Sequence, residues 1–184
     1  LVFLEGGGFC SSASSCNLRY FKDEVRTASE NPADLWRHWQ GHPASSYVSP
    51  LVTATVQLFP KGVPATIEGR DLLDTDCSRN PTFCQFNHVL IPYCSSDLWL
   101  LNDTRFNRSP GDFKYNPNVT SDIQFVFRGG QIFRSALRDL SIPFGSEVVL
   151  AGSSAGGVGA LNHANWTSQL VGSNVRVVMD SSWF

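Results

Sequence analysis

Two stretches of this chain carry residue types that acyl-transfer chemistry requires. The first is Val148-Val149-Leu150-Ala151-Gly152-Ser153-Ser154-Ala155-Gly156-Gly157, which contains Gly-x-Ser-x-Gly centred on Ser154. That pattern builds a sharp strand-to-helix turn with the serine at its apex, where a hydroxyl is thrust into a cleft and the helix N-terminus directs positive dipole at it. Gly152 and Gly156 supply the lack of bulk that such a turn needs, whereas Ser153 falls out of register and is expected to be structural. The second stretch is Leu4-Glu5-Gly6-Gly7-Gly8-Phe9-Cys10. A serine nucleophile needs backbone N–H donors aimed at the developing oxyanion, one from the residue after the nucleophile, here Ala155, and others from a glycine-rich loop after an earlier strand. Gly7 and Gly8 are candidates for that loop. Losing one such donor costs about 3 to 4 kcal/mol of transition-state stabilisation. Taken alone, three consecutive glycines also suit a plain turn or a phosphate cradle. No Gly-x-Gly-x-x-Gly or Gly-Lys-Ser/Thr completes a nucleotide site, and coupling to the Ser154 motif favours the oxyanion reading.

A serine nucleophile also needs a base and an acid, which follow it in the order Ser, Asp or Glu, His. After Ser154 the chain offers His163 and Asp180. His163 lies nine residues along the predicted helix, too far to reach back. Asp180 ends the next predicted strand and is a minor candidate for the acid. His38, His42 and His88 precede the serine, the wrong order, and are expected to be ordinary surface or core residues. The chain opens on Leu1 inside an apolar run and stops at Phe184. We therefore expect a segment cut at both ends, with acid and base beyond residue 184 and no activity of its own.

The elements that would hold these residues are legible as apolar runs. Leu1–Leu4, Val89–Tyr93, Glu147–Leu150 and Val175–Met179 read as strands without clean polar alternation, the pattern of a parallel sheet covered on both faces. A helix is expected from just past Ser154 to about Leu170. Another precedes the third strand, with Ser121 as cap, Gln124 completing a capping box, and an apolar stripe of Ile123, Val126, Phe133, Leu137 and Leu140. Gly130 falls on that stripe, and Arg134 and Arg138 fall on the solvated face. Strand, helix, strand in alternation predicts an α/β fold of the α/β-hydrolase kind, mostly parallel with helices on both faces, as one partial domain over 1–184. Residues 41–86, rich in proline, and 102–120 read as irregular surface excursions.

Hydrophobic residues make up 42% and charged residues 16%, enough apolar content for a packed core. The net charge of −2 with no basic run argues against nucleic acid, and no apolar stretch is long enough to span a membrane. No cofactor is implied. Four Asn-x-Ser/Thr sequons begin at Asn102, Asn107, Asn118 and Asn165, three of them between residues 102 and 120. With five cysteines (Cys10, Cys16, Cys77, Cys84, Cys94) they favour an oxidising, secretory environment with disulfides. The competing use of Cys77, Cys84, His88 and Cys94 as a metal site lacks tight ligand spacing.

These motifs resemble the pectin acetylesterase and Notum family of carboxylesterases. Leu4-Glu5-Gly6-Gly7-Gly8-Phe9-Cys10 is similar to its oxyanion segment, and Ile91-Pro92-Tyr93-Cys94-Ser95-Ser96-Asp97-Leu98-Trp99 to a segment of the Notum-like branch. Leu150–Gly157 is similar to the nucleophile segment of both branches, and Asp180-Ser181-Ser182-Trp183-Phe184 to a further family segment. The resemblance implies Ser154 as nucleophile, Gly7, Gly8 and Ala155 as oxyanion donors, and Phe9, Val158 and Phe184 lining an acyl pocket. It implies a later acid and histidine, and structural roles for Asp97 and Asp180 in holding loops near the cleft. Gly8 stands where the Notum branch carries Trp and matches the pectin-esterase choice. The implied activity is ester hydrolysis through an acyl-enzyme, on an acylated protein or related ester, with an acetylated polysaccharide as the alternative substrate. A non-catalytic binding module on the same shell is the alternative of another class.

Overall fold

A computed structural model describes residues 1–7, 9, 69–93, 95–109 and 122–182. In chain order the strands and α-helices are β1 (Val2–Leu4), β2 (Val89–Ile91), β3 (Thr104–Arg108), β4 (Ile123–Phe127), α1 (Gly129–Asp139), β5 (Val148–Ser153), α2 (Ala155–Val171) and β6 (Val175–Asp180). The four expected apolar runs form one sheet in the order β2-β1-β5-β6, with every neighbouring pair parallel.

Strand side chains alternate between faces, and the two faces of this sheet bury different sets. Val2, Leu4, Val148 and Leu150 pack with Phe133 and Leu137 of α1 and with Ala155, Ala160 and Val171 of α2. Leu1, Val149 and Ala151 face the other way, where Leu72, Leu73, Phe83 and Phe86 cover them. All six residues of β5 are therefore buried, which is why that strand reads as a continuous apolar run rather than an alternating one. Among the described residues the second face is covered by residues 69–86, which hold one short 3-10 turn (Asp71–Leu73) and no α-helix. That segment is held by a disulfide between Cys77 and Cys84 and by buried Asn80, whose amide donates to the Leu72 and Asp74 carbonyls at 3.0 and 2.9 Å. The disulfide removes both thiolates from the alternative metal site, and His88 Nε2 is engaged at 2.7 Å with the Phe83 carbonyl oxygen.

The helix expected before the third strand is corrected in its first part. Ile123–Phe127 is a strand, paired antiparallel with β3 so that the 102–120 excursion begins with a hairpin arm. Ile-Gln-Phe-Val-Phe fits both a period of two and a period near 3.6, and its β-branched and aromatic content decides for the strand. Gln124 does not complete a capping box. Its amide donates to Asn107 Oδ1 across the hairpin at 2.8 Å. Ser121 lies outside the described residues. Helix α1 begins only at Gly129, and its first amide is taken by a distant carboxylate, Asp97 Oδ2, at 2.8 Å. Phe133 and Leu137 are buried as the stripe predicts, while Leu140, at the helix end, is exposed. Arg134 and Arg138 are not simply solvated, because both guanidinium groups sit over the Trp166 ring of α2, at 5.8 and 5.6 Å from its centroid.

Helix α2 runs one residue beyond its expected end and stops where Gly172 takes the left-handed conformation at φ 67°. Its buried face carries His163, whose Nε2 meets the Trp99 carbonyl oxygen at 2.6 Å and whose ring stacks on Phe133 with centroids 4.3 Å apart. Burial, reinforced by the positive charge of Arg134, lowers its pKa from the ordinary 6.5, against the opposing pull of the Trp99 carbonyl and Asp97. The unfolded chain then binds this proton more readily than the folded one. Stability from this site is complete above the unfolded value of 6.5 and is lost as pH falls from there through the lowered folded pKa. Melting temperature followed against pH is expected to fall over that window and to fall less steeply in His163→Gln. Parallel profiles for the two proteins would refute the assignment.

Candidate active site

The site is built by two neighbouring strands. β1 and β5 are paired parallel with Leu4 opposite Gly152, so both chains leave the same C-terminal edge of the sheet side by side. β1 runs into Glu5-Gly6-Gly7 and β5 into Ser153-Ser154. Gly6 lies so close to the turn that a Cβ there would run into the Ser153 carbonyl oxygen. The glycine-rich loop and the serine turn are thus in direct backbone contact.

Ser154 has φ 50° and ψ −121°, a region that residues with a Cβ rarely occupy. Such a conformation costs on the order of 1 to 3 kcal/mol and persists where the surroundings over-determine it. Here they do. The Ser154 amide donates to the Asp180 carbonyl at 2.8 Å, and the Ser154 carbonyl accepts from Gly157 and Val158 at 3.1 and 3.4 Å. The turn also closes on small residues, since a Cβ at Gly152 would strike the backbone of Gly156 and one at Gly156 would strike the Leu4 carbonyl oxygen. α2 starts at Ala155, immediately after the serine, so the N-terminal end of the helix, with its positive dipole, lies at this edge. Ser154 is half-buried and its hydroxyl makes no capping hydrogen bond to the helix that follows.

The glycine loop is braced from the far side of β1 by the segment after β2. The Tyr93 amide donates to Glu5 Oε2 at 2.9 Å, and Trp99 Nε1 donates to the Glu5 carbonyl at 3.1 Å. Trp99 is fully buried against Gly159 of α2, where a side chain would collide with its indole. Asp97 organises this brace. Its Oδ1 accepts from Ser95 Oγ at 2.5 Å and the Trp99 amide at 3.0 Å, and its Oδ2 accepts from the Leu101 and Gly129 amides at 3.3 and 2.8 Å. Glu5 and Trp99 were not singled out as individual site residues by the sequence. Their partners lie 88 and 94 positions away in the chain, beyond any local pattern.

Of the other candidates, Gly7 is at φ 145°, Phe9 is 42% exposed, Ala155 is fully buried and Val158 half-buried. Gly8 and Phe184 lie outside the described residues, as do Cys10, Cys16, Cys94, His38, His42, Asn118 and Trp183. Asp180 Oδ1 accepts from the neighbouring Ser181 hydroxyl at 3.0 Å, and its carbonyl holds the Ser154 amide. His163 is committed to Trp99 and Phe133, as a core histidine. Asn102, Asn107 and Asn165 are exposed, Asn107 in β3 and Asn165 in α2. Among the described residues no helix is long and apolar enough to cross a membrane.

The family model for pectinacetylesterase matches residues 60–184, more than half of the chain. The chain belongs to the pectinacetylesterase family. Within reach of that family it is similar to the palmitoleoyl-protein carboxylesterase notum2 of Xenopus laevis, 30% identical over 194 residues, covering 100% of this chain and 30% of that protein. It is similar to the palmitoleoyl-protein carboxylesterase NOTUM of Drosophila melanogaster, 31% identical over 196 residues, covering 100% of this chain and 23% of that protein. The chain thus spans less than a third of the length of these curated relatives. The crystal structure of the Wnt deacylase Notum from Drosophila superposes with a TM-score of 0.54 at 28% identity, over 97% of this chain and 42% of that one. The fold is that of an α/β-hydrolase, with the pectinacetylesterase segment beginning before the Cys77–Cys84 loop and including the serine turn.

Proposed function

We propose that this segment carries the nucleophile and part of the oxyanion site of a serine carboxylesterase that removes an acyl group from a protein or related ester. One observation supports the reading above the rest: Ser154 sits at φ 50° on a turn whose strand is the hydrogen-bonded neighbour of the strand feeding the glycine loop. In this reading Ser154 Oγ attacks the acyl carbonyl and an acyl-enzyme forms, which water then hydrolyses. Gly7, Gly8 and Ala155 donate amides to the oxyanion, with the N-terminal dipole of α2 adding to the field. Phe9, Val158 and Phe184 line the acyl pocket. The base and its orienting acid come from later in the family's chain order, and the described histidines, both engaged with backbone carbonyls, do not serve. No resident cofactor takes part. The place of action is extracellular, consistent with the sequons and the disulfide.

The names of the relatives, palmitoleoyl-protein carboxylesterases, favour a long acyl chain on a protein. Glycine at position 8, the residue that the resemblance ties to the pectin-esterase branch, favours a short one. A series of model esters from acetate to octanoate, given to the intact protein, decides between them. Hydrolysis of octanoate is the expected result. Cleavage of acetate without octanoate would transfer the assignment to a polysaccharide acetylesterase. Absence of any turnover would leave a non-catalytic binding module.

A further inference from the structure

Ser153 lies one residue before the proposed nucleophile and outside the Gly-x-Ser-x-Gly register. It ends β5 opposite Asp180 and is 9% exposed, so more than nine-tenths of it is buried. Among the described residues its hydroxyl has no hydrogen-bond partner. Two other buried serines at this edge do: Ser95 Oγ donates to Asp97 Oδ1 at 2.5 Å and Ser182 Oγ to the Asp180 carbonyl at 2.8 Å. A buried hydroxyl left unpaired destabilises the fold, and alanine of nearly the same shape would remove the penalty. What the hydroxyl faces is the glycine-rich loop. A Cβ on Gly6 would lie 3.1 Å from Ser153 Oγ. The group therefore stands between the nucleophile turn and the loop whose amides the reaction uses, with donor and acceptor capacity to spare.

We infer that Ser153 is a positioning residue for the oxyanion loop: its hydroxyl hydrogen-bonds the Gly6–Gly7 backbone when that loop turns its amides toward the tetrahedral oxyanion. It touches no substrate and acts through the loop. The inference rests on the esterase reading above. The hydrogen bond is made in the transition state and not in the resting protein, so it contributes to turnover and not to ground-state binding or to stability.

The test compares Ser153→Ala, Ser154→Ala and wild type in the intact protein, using a model ester, a boronic acid as transition-state analogue, and thermal unfolding. For Ser153→Ala the expected result is a melting temperature at or above wild type and an unchanged KM. Its kcat is expected about tenfold lower, with boronate affinity falling by a similar factor. Wild-type kcat in Ser153→Ala overturns the inference. So does a kcat that falls together with the melting temperature, which marks a merely structural role. Ser154→Ala separates the two levels. If it is inactive, the esterase reading stands whichever way Ser153 behaves; if it retains turnover, that reading fails and takes this one with it.

Discussion

In the intact protein, Ser154→Ala is expected to lower kcat for a model ester by about 10⁴- to 10⁶-fold while leaving the melting temperature within a few degrees of wild type. The size follows from the proposed role: without a nucleophile no acyl-enzyme would form, and what would remain is the electrostatic help of the surrounding amides. The preserved stability follows from the geometry. Alanine carries the same Cβ as serine, so the strain of φ 50° at the apex is unchanged. The Ser154 backbone keeps its hydrogen bonds to Asp180, Gly157 and Val158, and the lost hydroxyl makes no capping bond. Turnover within tenfold of wild type, measured on protein shown to be folded, would remove Ser154 from the mechanism.

Asp97→Ala is the variant expected to damage the fold most among the residues that surround the site. Asp97 is 6% exposed and its two oxygens accept four hydrogen bonds, three of them from the backbone amides of Trp99, Leu101 and Gly129. Removing the carboxylate leaves those donors without their acceptor in a buried place, and each such loss costs about 1 to 3 kcal/mol. The loss also uncaps α1, whose N-cap residue Arg128 supplies no side-chain bond of its own. Together the expected destabilisation is about 3 to 5 kcal/mol, a large share of the stability of an ordinary domain. Activity falls with it, because Trp99 no longer holds Glu5 and the glycine loop in place. Asp97→Asn, which keeps one accepting oxygen, is expected to recover part of the loss. Denaturant unfolding of the intact protein measures both, and an alanine variant within about 0.5 kcal/mol of wild type would show that this carboxylate is not the anchor described.

The sheet was readable above all through β5, which is buried on both faces. Val148–Leu150 presents apolar residues to two different clusters, and an uninterrupted apolar run is the signature of that situation, whereas β6, last in the sheet order, carries exposed Arg176 inside its run. The serine turn was readable because its chemistry is local, with glycines two residues either side of Ser154 and an adjoining strand and helix. The start of α1 was not. Its stripe continues backward into Ile123 and Val126, which a period near 3.6 accepts as readily as a strand does, and the true cap is a carboxylate 32 positions earlier in the chain. The brace on the glycine loop escaped for the same reason: Glu5, Tyr93 and Trp99 meet only because β2 is laid beside β1. That the Ser153 hydroxyl finds no partner among the described residues is likewise a property of packing, invisible in a sequence where two adjacent serines look alike.

In the proposed reading one hydroxyl, that of Ser154, is the reactive group at this sheet edge. Treatment of the intact protein with a serine-directed fluorophosphonate, followed by peptide mapping, tests it most directly. A single stoichiometric adduct on Ser154 is expected, formed by the folded protein and abolished on denaturation. An adduct on Ser153 or on any other serine, or a folded protein that hydrolyses esters yet takes up no label at Ser154, would contradict it.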